Sequence, residues 1–344
     1  MNHNEKTETK LQQLKMVLAD HKTMLIVLQD NPDPDAIASA VALRKLCNVM
    51  ANIQCSIAHG GMVGRAENRA LVKYLGLNLR PIDQIDMSKF ELFAMVDTQP
   101  GTGNNSLPGH MEPDIVMDHH SCRSLTRHCR FTDIRSKYGA TATILMEYLN
   151  QAQIEPDVPL ATAMLYAIRS DTQDLGRDST KADMQAFTQL YAVANKRMLS
   201  AIQRGKVQRD YYQMLADAMT NATVYGNAIV TNLREIHNPD MIAELADMLL
   251  RDDQTDWVMV YGYFRDNIIL SLRTSQEVIK AERVIRHLVA RRGTGGGHPS
   301  YAGGQIPLKK LTDKAVEKLE KTLINRFVKE VTSGNPKPET LIRS

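Results

Sequence analysis

Leu25-Ile-Val-Leu-Gln-Asp-Asn-Pro-Asp-Pro-Asp-Ala-Ile-Ala-Ser39 is an apolar run that breaks at two prolines and leaves Asp33 and Asp35 in the break. Proline offers no N–H to a sheet ladder and fixes φ, so the chain must leave a strand and turn before the helix expected over 36–50 begins. The two carboxylates are thereby held at the mouth of a buried strand. Three later stretches repeat the pattern of apolar run and acid: Leu92-Phe-Ala-Met-Val-Asp97-Thr-Gln, Ile115-Val-Met-Asp118-His119-His120 and Met164-Leu-Tyr-Ala-Ile-Arg-Ser-Asp171-Thr-Gln. In an open parallel α/β sheet the carboxyl ends of the strands form the ligand crevice, so acids distant in sequence converge there. Such a cluster repels itself unless cations sit among it. Aspartates with one or two histidines suit Mn²⁺ or Mg²⁺ better than a thiol-seeking metal, and two such ions clamp an in-line attack on phosphorus.

Outward from this stretch, strand and helix alternate, which predicts a parallel sheet. Strands are expected over 24–29, 53–58, 91–96 and 114–117, and helices over 36–50, 67–75, 140–149 and 160–168. Ser179 is expected to cap a helix running to about residue 194. Residues 59–69, His-Gly-Gly-Met-Val-Gly-Arg-Ala-Glu-Asn-Arg, form a glycine-containing loop whose amides and Arg65 can meet a phosphate, although the glycines equally serve only to turn the chain. The basic, turn-prone segment 195–206 marks a boundary, followed by a connector helix over 207–219. A second α/β region then reads as strand 228–233, helix 239–250, a hairpin of 256–264 with 267–273, and helix 277–290. Gly293-Thr-Gly-Gly-Gly-His-Pro-Ser-Tyr-Ala-Gly-Gly304 is too glycine-rich for a packed element and is expected to be a loop whose amides approach an anion closely. An amphipathic helix over 309–332 carries Ala315, Leu319, Leu323 and Phe327 on one face, and the tail to Ser344 is expected to fray.

Composition narrows the partners. A length of 344 residues suits two domains. A net charge of +3 with 24% charged residues makes no broad basic surface, which excludes long nucleic acid as an obvious ligand and favours a small anion. Cys47, Cys55, Cys122 and Cys129 show neither Cys-x-x-Cys spacing nor a disulfide framework, so reduced thiols and a cytoplasmic location are expected. Cys122, His128 and Cys129 fit the spacing of a zinc site poorly. No run reaches the ~20 apolar residues of a membrane span, and residues 1–22 read as a short polar helix that packs on the body or on a partner subunit.

Asn31-Pro-Asp-Pro-Asp-Ala-Ile-Ala-Ser39, Val96-Asp97-Thr98-Gln99, Asp118-His119-His120 and Ser170-Asp171-Thr172 stand in order, with Gly295-Gly-Gly-His298 downstream. Over about residues 22–310 the chain resembles the DHH phosphoesterase family, in the branch of the oligoribonucleases called nanoRNases and the 3′-phosphoadenosine-5′-phosphate phosphatases. The resemblance implies a parallel-sheet N-terminal DHH domain (23–195) and a smaller α/β DHH-associated C-terminal domain (221–310), with the active-site cleft between them. An N-terminal helix (1–22), a linker and connector helix (196–220) and a C-terminal helix with tail (311–344) complete the organisation. It implies Asp33, Asp35, Asp97, His119 and Asp171 as metal ligands, for two Mn²⁺ ions with Mg²⁺ as the alternative. Asp118 is implied as a carboxylate that fixes an imidazole, His120 as the histidine facing the scissile phosphate. Arg273, Gly295, Gly296, Gly297 and His298 are implied to hold the nucleotide end. The family usually has histidine four residues before the first-motif aspartate, whereas this chain has Gln29.

The resemblance implies hydrolysis of short oligoribonucleotides, including dinucleotides, or of 3′-phosphoadenosine-5′-phosphate, by a homodimer that binds neither membranes nor long nucleic acid. A nucleotide sensor with little or no turnover is the rival reading, motivated by Gln29. The glycine–histidine segment argues against an inorganic pyrophosphatase, whose second domain is lysine-rich.

Overall fold

A computed structural model describes residues 3–309 and 311–342. The chain divides into two compact units between Lys206 and Val207.

In the first unit the order is α1 (His3–Leu18), β1 (Thr23–Val27), α2 (Pro34–Ala51), β2 (Gln54–His59), α3 (Ala66–Tyr74), β3 (Arg80–Pro81), β4 (Leu92–Val96), β5 (Ile115–Asp118), β6 (Phe131–Ile134), α4 (Thr141–Gln151), α5 (Val158–Asp171), α6 (Lys181–Val193) and α7 (Lys196–Gln203). The strands form one parallel sheet in the order β3-β2-β1-β4-β5-β6. From β1 the chain moves to one side through β2 and β3, then returns to place β4 on the other. The gap between the carboxyl ends of β1 and β4 is therefore the switch point of the sheet, where such folds bind ligands. Met24 to Leu28 are fully buried, each worth about 1.5–3 kcal/mol on leaving water.

Local chemistry shapes the turn out of β1. Asp33 caps α2, accepting from Ala36 N at 2.9 Å, and Pro34 takes a first-turn position where its missing N–H costs nothing. Ala36, Ala38, Ala40 and Ala42 keep α2 thin enough to lie buried against α4 and α5. Asn52, in the left-handed region at φ 55°, ends it. The N-terminal helix packs on the body of the unit, burying Leu11, Leu14, Val17 and Leu18 against α2, α4 and β6.

The second unit runs α8 (Arg209–Thr220), β7 (Thr223–Tyr225), β8 (Ala228–Glu235), α9 (Asp240–Leu249), β9 (Trp257–Phe264), β10 (Asn267–Thr274), α10 (Ala281–Val289), β11 (Thr294–Gly297), β12 (Tyr301–Pro307), α11 (Asp313–Val331) and β13 (Glu339–Thr340). Its sheet is mixed, ordered β11-β12-β10-β9-β8-β7-β13, with β8 and β9 parallel. Alternation along β9 sends Trp257, Met259 and Tyr261 into a core with α10 and α11, and Val258 and Val260 into a second core with α9.

Four expectations need correction. The segment 293–304 is not an unpacked loop: β11 and β12 form an antiparallel pair in which Gly295 faces Gly304. A Cβ on Gly304 would lie 2.9 Å from Ile285 Cγ1 and 3.0 Å from Val289 Cγ1, so the missing side chains let α10 sit directly on this pair. Residues 196–203 are helical, with Leu199 and Ile202 buried in the first unit's core. The cap of α6 is Thr180 rather than Ser179, because Thr180 and Asp183 exchange hydrogen bonds in a capping box. The tail is anchored where Glu339 and Thr340 pair with β7, while its last residues, 343 and 344, lie outside the described residues.

Candidate metal centre

Four acids and two histidines gather at the switch point. Asp97 follows β4 directly and is buried, in the left-handed conformation at φ 57°. Asp118 closes β5 and sends His119 and His120 off its end. Asp35 lies in the first turn of α2 and Asp171 is the last residue of α5. The donor atoms form two overlapping sets, Asp97–His119–His120 and Asp35–His119–Asp171, each within 4.8 Å of one another. Asp33 belongs to neither: its carboxylate caps α2, accepting from Ala36 N.

The orientation of His119 is the informative detail. Its Nδ1 stands 3.0 Å from the carbonyl of Tyr138, which can only accept, so Nδ1 carries the proton. Nε2 then turns to Asp171 Oδ2 at 3.4 Å and Asp97 Oδ1 at 3.5 Å, buried and without a hydrogen-bond partner. A neutral imidazole fixed this way aims a lone pair at carboxylates, which is unfavourable unless a cation lies between them. The donor set of one imidazole and several carboxylates suits Mn²⁺ or Mg²⁺, so the residues present fit such an ion.

The surrounding residues hold these groups rigidly. Asp35 accepts from the first turn of α4, Thr141 N at 2.6 Å and Ala142 N at 2.8 Å, and Thr141 Oγ1 donates to Asp97 at 3.0 Å. Asp118 Oδ1 bonds His120 Nδ1 at 2.8 Å, and its Oδ2 accepts from the buried amide of Gln99 at 2.7 Å. Gln99 in turn accepts from Arg123 N and Thr126 Oγ1, both at 2.8 Å. Gln99, Tyr138 and Thr141 had no role assigned from the sequence. For Gln99 the signal was its place in the second motif; for Thr141 and Tyr138 there was none, since the residue before α4, Ala140, has no capping side chain.

The other candidate residues supply no donor to either set. Arg65 stands at the start of α3, near enough to Tyr166 to influence its charge. Arg273 and His298 belong to the second unit. Arg273 pairs with Asp247, donates to Ser271 Oγ at 2.8 Å and lies over the Tyr301 ring, which stacks on His298 at 4.6 Å. Gly295 and Gly297 are closed in by neighbouring atoms, whereas a side chain on Gly296 would meet nothing within 4 Å. Cys122, His128 and Cys129 form no metal-competent group among the described residues.

Electrostatics report the strain of crowding. Burial, then the charge of Asp171, raises Asp33 to about 6 and Asp35 to about 7. Burial and the four neighbouring acids Asp33, Asp35, Asp118 and Asp171 push Asp97 well above the ordinary carboxylate range. Burial favours neutral His119, but without a metal the charges of Asp171, Asp35 and Asp118 outweigh it and raise the imidazole to about 10, so a proton takes the place at Nε2 that a metal ion would hold. Burial likewise opposes ionisation of Asp118, yet His120 outweighs it and holds the carboxyl low. A carboxyl whose pKa is raised on folding stabilises the fold below its unfolded value and loses that contribution as pH rises through the folded one. Metal-free protein should therefore lose thermal stability between about pH 4 and 7 as Asp33 and Asp35 ionise. Added Mn²⁺ should raise the melting temperature more at pH 7.5 than at pH 5, because it competes with protons for the same atoms. Calorimetry across that range checks both; equal Mn²⁺ shifts at the two pH values would refute the linkage.

The sequence profile of the DHH family N-terminal domain matches residues 23–168, and that of the DHHA1 domain matches residues 225–325. An uncharacterised protein of Methanocaldococcus jannaschii is 34% identical over 347 residues, covering 95% of this chain and 70% of the relative. The chain belongs to the DHH family. Solved structures agree at the level of fold. An exopolyphosphatase-related protein from Bacteroides fragilis matches at TM-score 0.70 and 14% identity, over 94% of this chain and 98% of the other. RecJ from Thermus thermophilus in complex with Mn²⁺ matches at TM-score 0.56 and 13% identity, over 96% of this chain and 55% of RecJ. As a DHH chain it is a phosphoesterase, of a family whose members hydrolyse phosphodiester or phosphate bonds.

Proposed function

We propose that this DHH-family chain is a metal-dependent hydrolase of short oligoribonucleotides, dinucleotides included, or of 3′-phosphoadenosine-5′-phosphate. The observation that carries the metal dependence is the buried Nε2 of His119, which has no hydrogen-bond partner and faces carboxylates. Asp35, Asp97, His119 and Asp171 would hold the ion, with Mn²⁺ or Mg²⁺ both suited to these donors. When bound, such an ion lowers the pKa of water and offsets phosphate charge.

The chain's own groups do the rest. Asp118 holds His120 through Nδ1, and the half-exposed ring would exchange a proton with the departing oxygen or stabilise charge on the phosphoryl group. The amide of Gln99 keeps Asp118 in place and satisfied, so the imidazole is oriented before substrate arrives. Arg273 and His298, both against the Tyr301 ring, are proposed to hold the nucleotide end. Near-neutral net charge fits a short substrate. Four free cysteines fit a reducing cytoplasm, and among the described residues no helix is long and apolar enough to cross a membrane. We propose a homodimer on family resemblance, which light scattering would test.

The deciding experiment incubates purified protein and Mn²⁺ with 5′-labelled di- to decanucleotides and with 3′-phosphoadenosine-5′-phosphate, beside chelator-stripped protein. Metal-dependent cleavage confined to the shortest oligonucleotides identifies the oligoribonuclease; phosphate released from the bisphosphate alone identifies the phosphatase. Nucleotide binding without turnover of any substrate would sink the hydrolase and favour the sensor suggested by Gln29.

A further inference from the structure

A two-ion centre needs donors enough to seat both ions, and the donors here converge on a single atom. Both metal-competent groups use His119 Nε2, and one lone pair serves one ion. His120, the only other imidazole in either group, has Nδ1 committed to Asp118 at 2.8 Å. What remains around His119 is Asp97 Oδ1 at 3.5 Å, Asp171 Oδ2 at 3.4 Å and Asp35. That set seats one hard divalent cation, with open positions left for water and substrate.

The region where a second ion would need protein donors is built differently. Asp33 caps α2 through Ala36 N and is absent from both groups. Gln29 accepts from Asn104 Nδ2 at 3.4 Å through Oε1, so its amide oxygen is tied to the loop after β4. Gln29 lies beside Asp33 and favours the charged form of its carboxylate. The loop is itself anchored, since Asp30 N donates to Asn104 O at 2.7 Å and Thr98 Oγ1 donates to Asn104 Oδ1 at 2.8 Å. With Oε1 so engaged, Gln29 lacks a committed lone pair for a cation beside Asp33.

From this arrangement, and resting on the metal-dependent reading above, we propose that the substrate-free centre holds one divalent ion, on His119, Asp97, Asp171 and Asp35. Gln29, its amide oxygen held by Asn104, and Asp33, engaged at the cap of α2, stand where a second ion would need ligands. Gln29 is a positioning residue, setting metal count by the lone pair it withholds.

The test counts metal rather than turnover. Full-length protein is stripped with chelator, dialysed against excess Mn²⁺, freed of unbound ion and measured by plasma mass spectrometry, with electron paramagnetic resonance reporting Mn–Mn coupling. Wild type should carry one ion per chain and no coupled signal. Asp33→Asn should still carry one, because Asp33 is not a ligand, whereas a two-ion centre would lose affinity there. Gln29→His should gain a second ion and a coupled signal. Two ions in wild type, loss of the ion in Asp33→Asn, or a folded Gln29→His that stays at one would each overturn the proposal. If Gln29→His does not fold, wild type and Asp33→Asn still decide it. Binding in wild type no greater than in His119→Ala would overturn the metal-dependent reading itself.

Discussion

Asp97→Asn is expected to reduce turnover by at least roughly a hundredfold, since even groups that only orient a metal ligand cost ten- to a hundredfold. It should also raise the melting temperature of the metal-free protein. The substitution is a clean one. Asparagine is among the few residues that tolerate the left-handed backbone Asp97 adopts at φ 57°. Its side-chain oxygen can still accept from Thr141 Oγ1, so shape and hydrogen bond survive and only the charge is lost. That charge is buried and faces Asp33, Asp35, Asp118 and Asp171, an arrangement that costs stability without a cation. Removing it relieves repulsion in the empty centre and weakens the full one, a trade of stability against function. Thermal melts with and without Mn²⁺, beside kinetics, check the pair of effects. A variant with undiminished Mn²⁺ affinity, or a lower metal-free melting temperature, would show that Asp97 does not play this part.

Arg135→Leu should destabilise the first unit by about 3–5 kcal/mol, the usual cost of leaving a buried charge without its partner. Arg135 is 6% exposed and its guanidinium makes paired bonds to Asp133, at 3.0 Å through Nε and 2.7 Å through Nη2. It also donates to Glu147 at 2.5 Å, Tyr138 Oη at 3.2 Å and Thr7 Oγ1 at 3.1 Å. One side chain thus ties α1, β6 and α4 to the residue whose carbonyl orients His119. Against a typical total of about 5–15 kcal/mol the loss is a large fraction of stability. Urea denaturation measures it. The double change Arg135→Met with Asp133→Leu should recover much of the loss, because replacing a buried pair by apolar groups is often neutral. A single variant within about 1 kcal/mol of wild type would mean that the network is solvated in solution.

The parts of this molecule that were legible in the sequence are those where one strand does one job. β4 and β5 each show an unbroken apolar run ending in an acid, and the run of β1 leads into the proline turn that carries Asp33 and Asp35, because a strand buried on both faces needs apolar residues throughout and the site needs carboxylates beyond its end. The features that were not legible depend on contacts distant in sequence. β6 is short and carries Asp133, with Arg135 just beyond it, charges that look exposed until each meets the other. The glycines of β11 and β12 look like a loop because the helix they accommodate, α10, is invisible locally. The same holds for the amides of Thr141 and Ala142: backbone groups have no letter in a sequence, and nothing near residue 141 announces that Asp35 awaits them.

Those amides have a bearing on how the protein comes into being. Asp35 is made early and its partners lie 106 and 107 residues downstream, with Asp171 farther still. Contacts of such long range form only after a large loop has closed, so they belong to the slow end of folding. A growing chain that has left the ribosome as far as β5 already carries Asp33, Asp35, Asp97 and Asp118 with nothing yet to restrain their mutual repulsion. The centre closes only once α4 and α5 have been synthesised and docked.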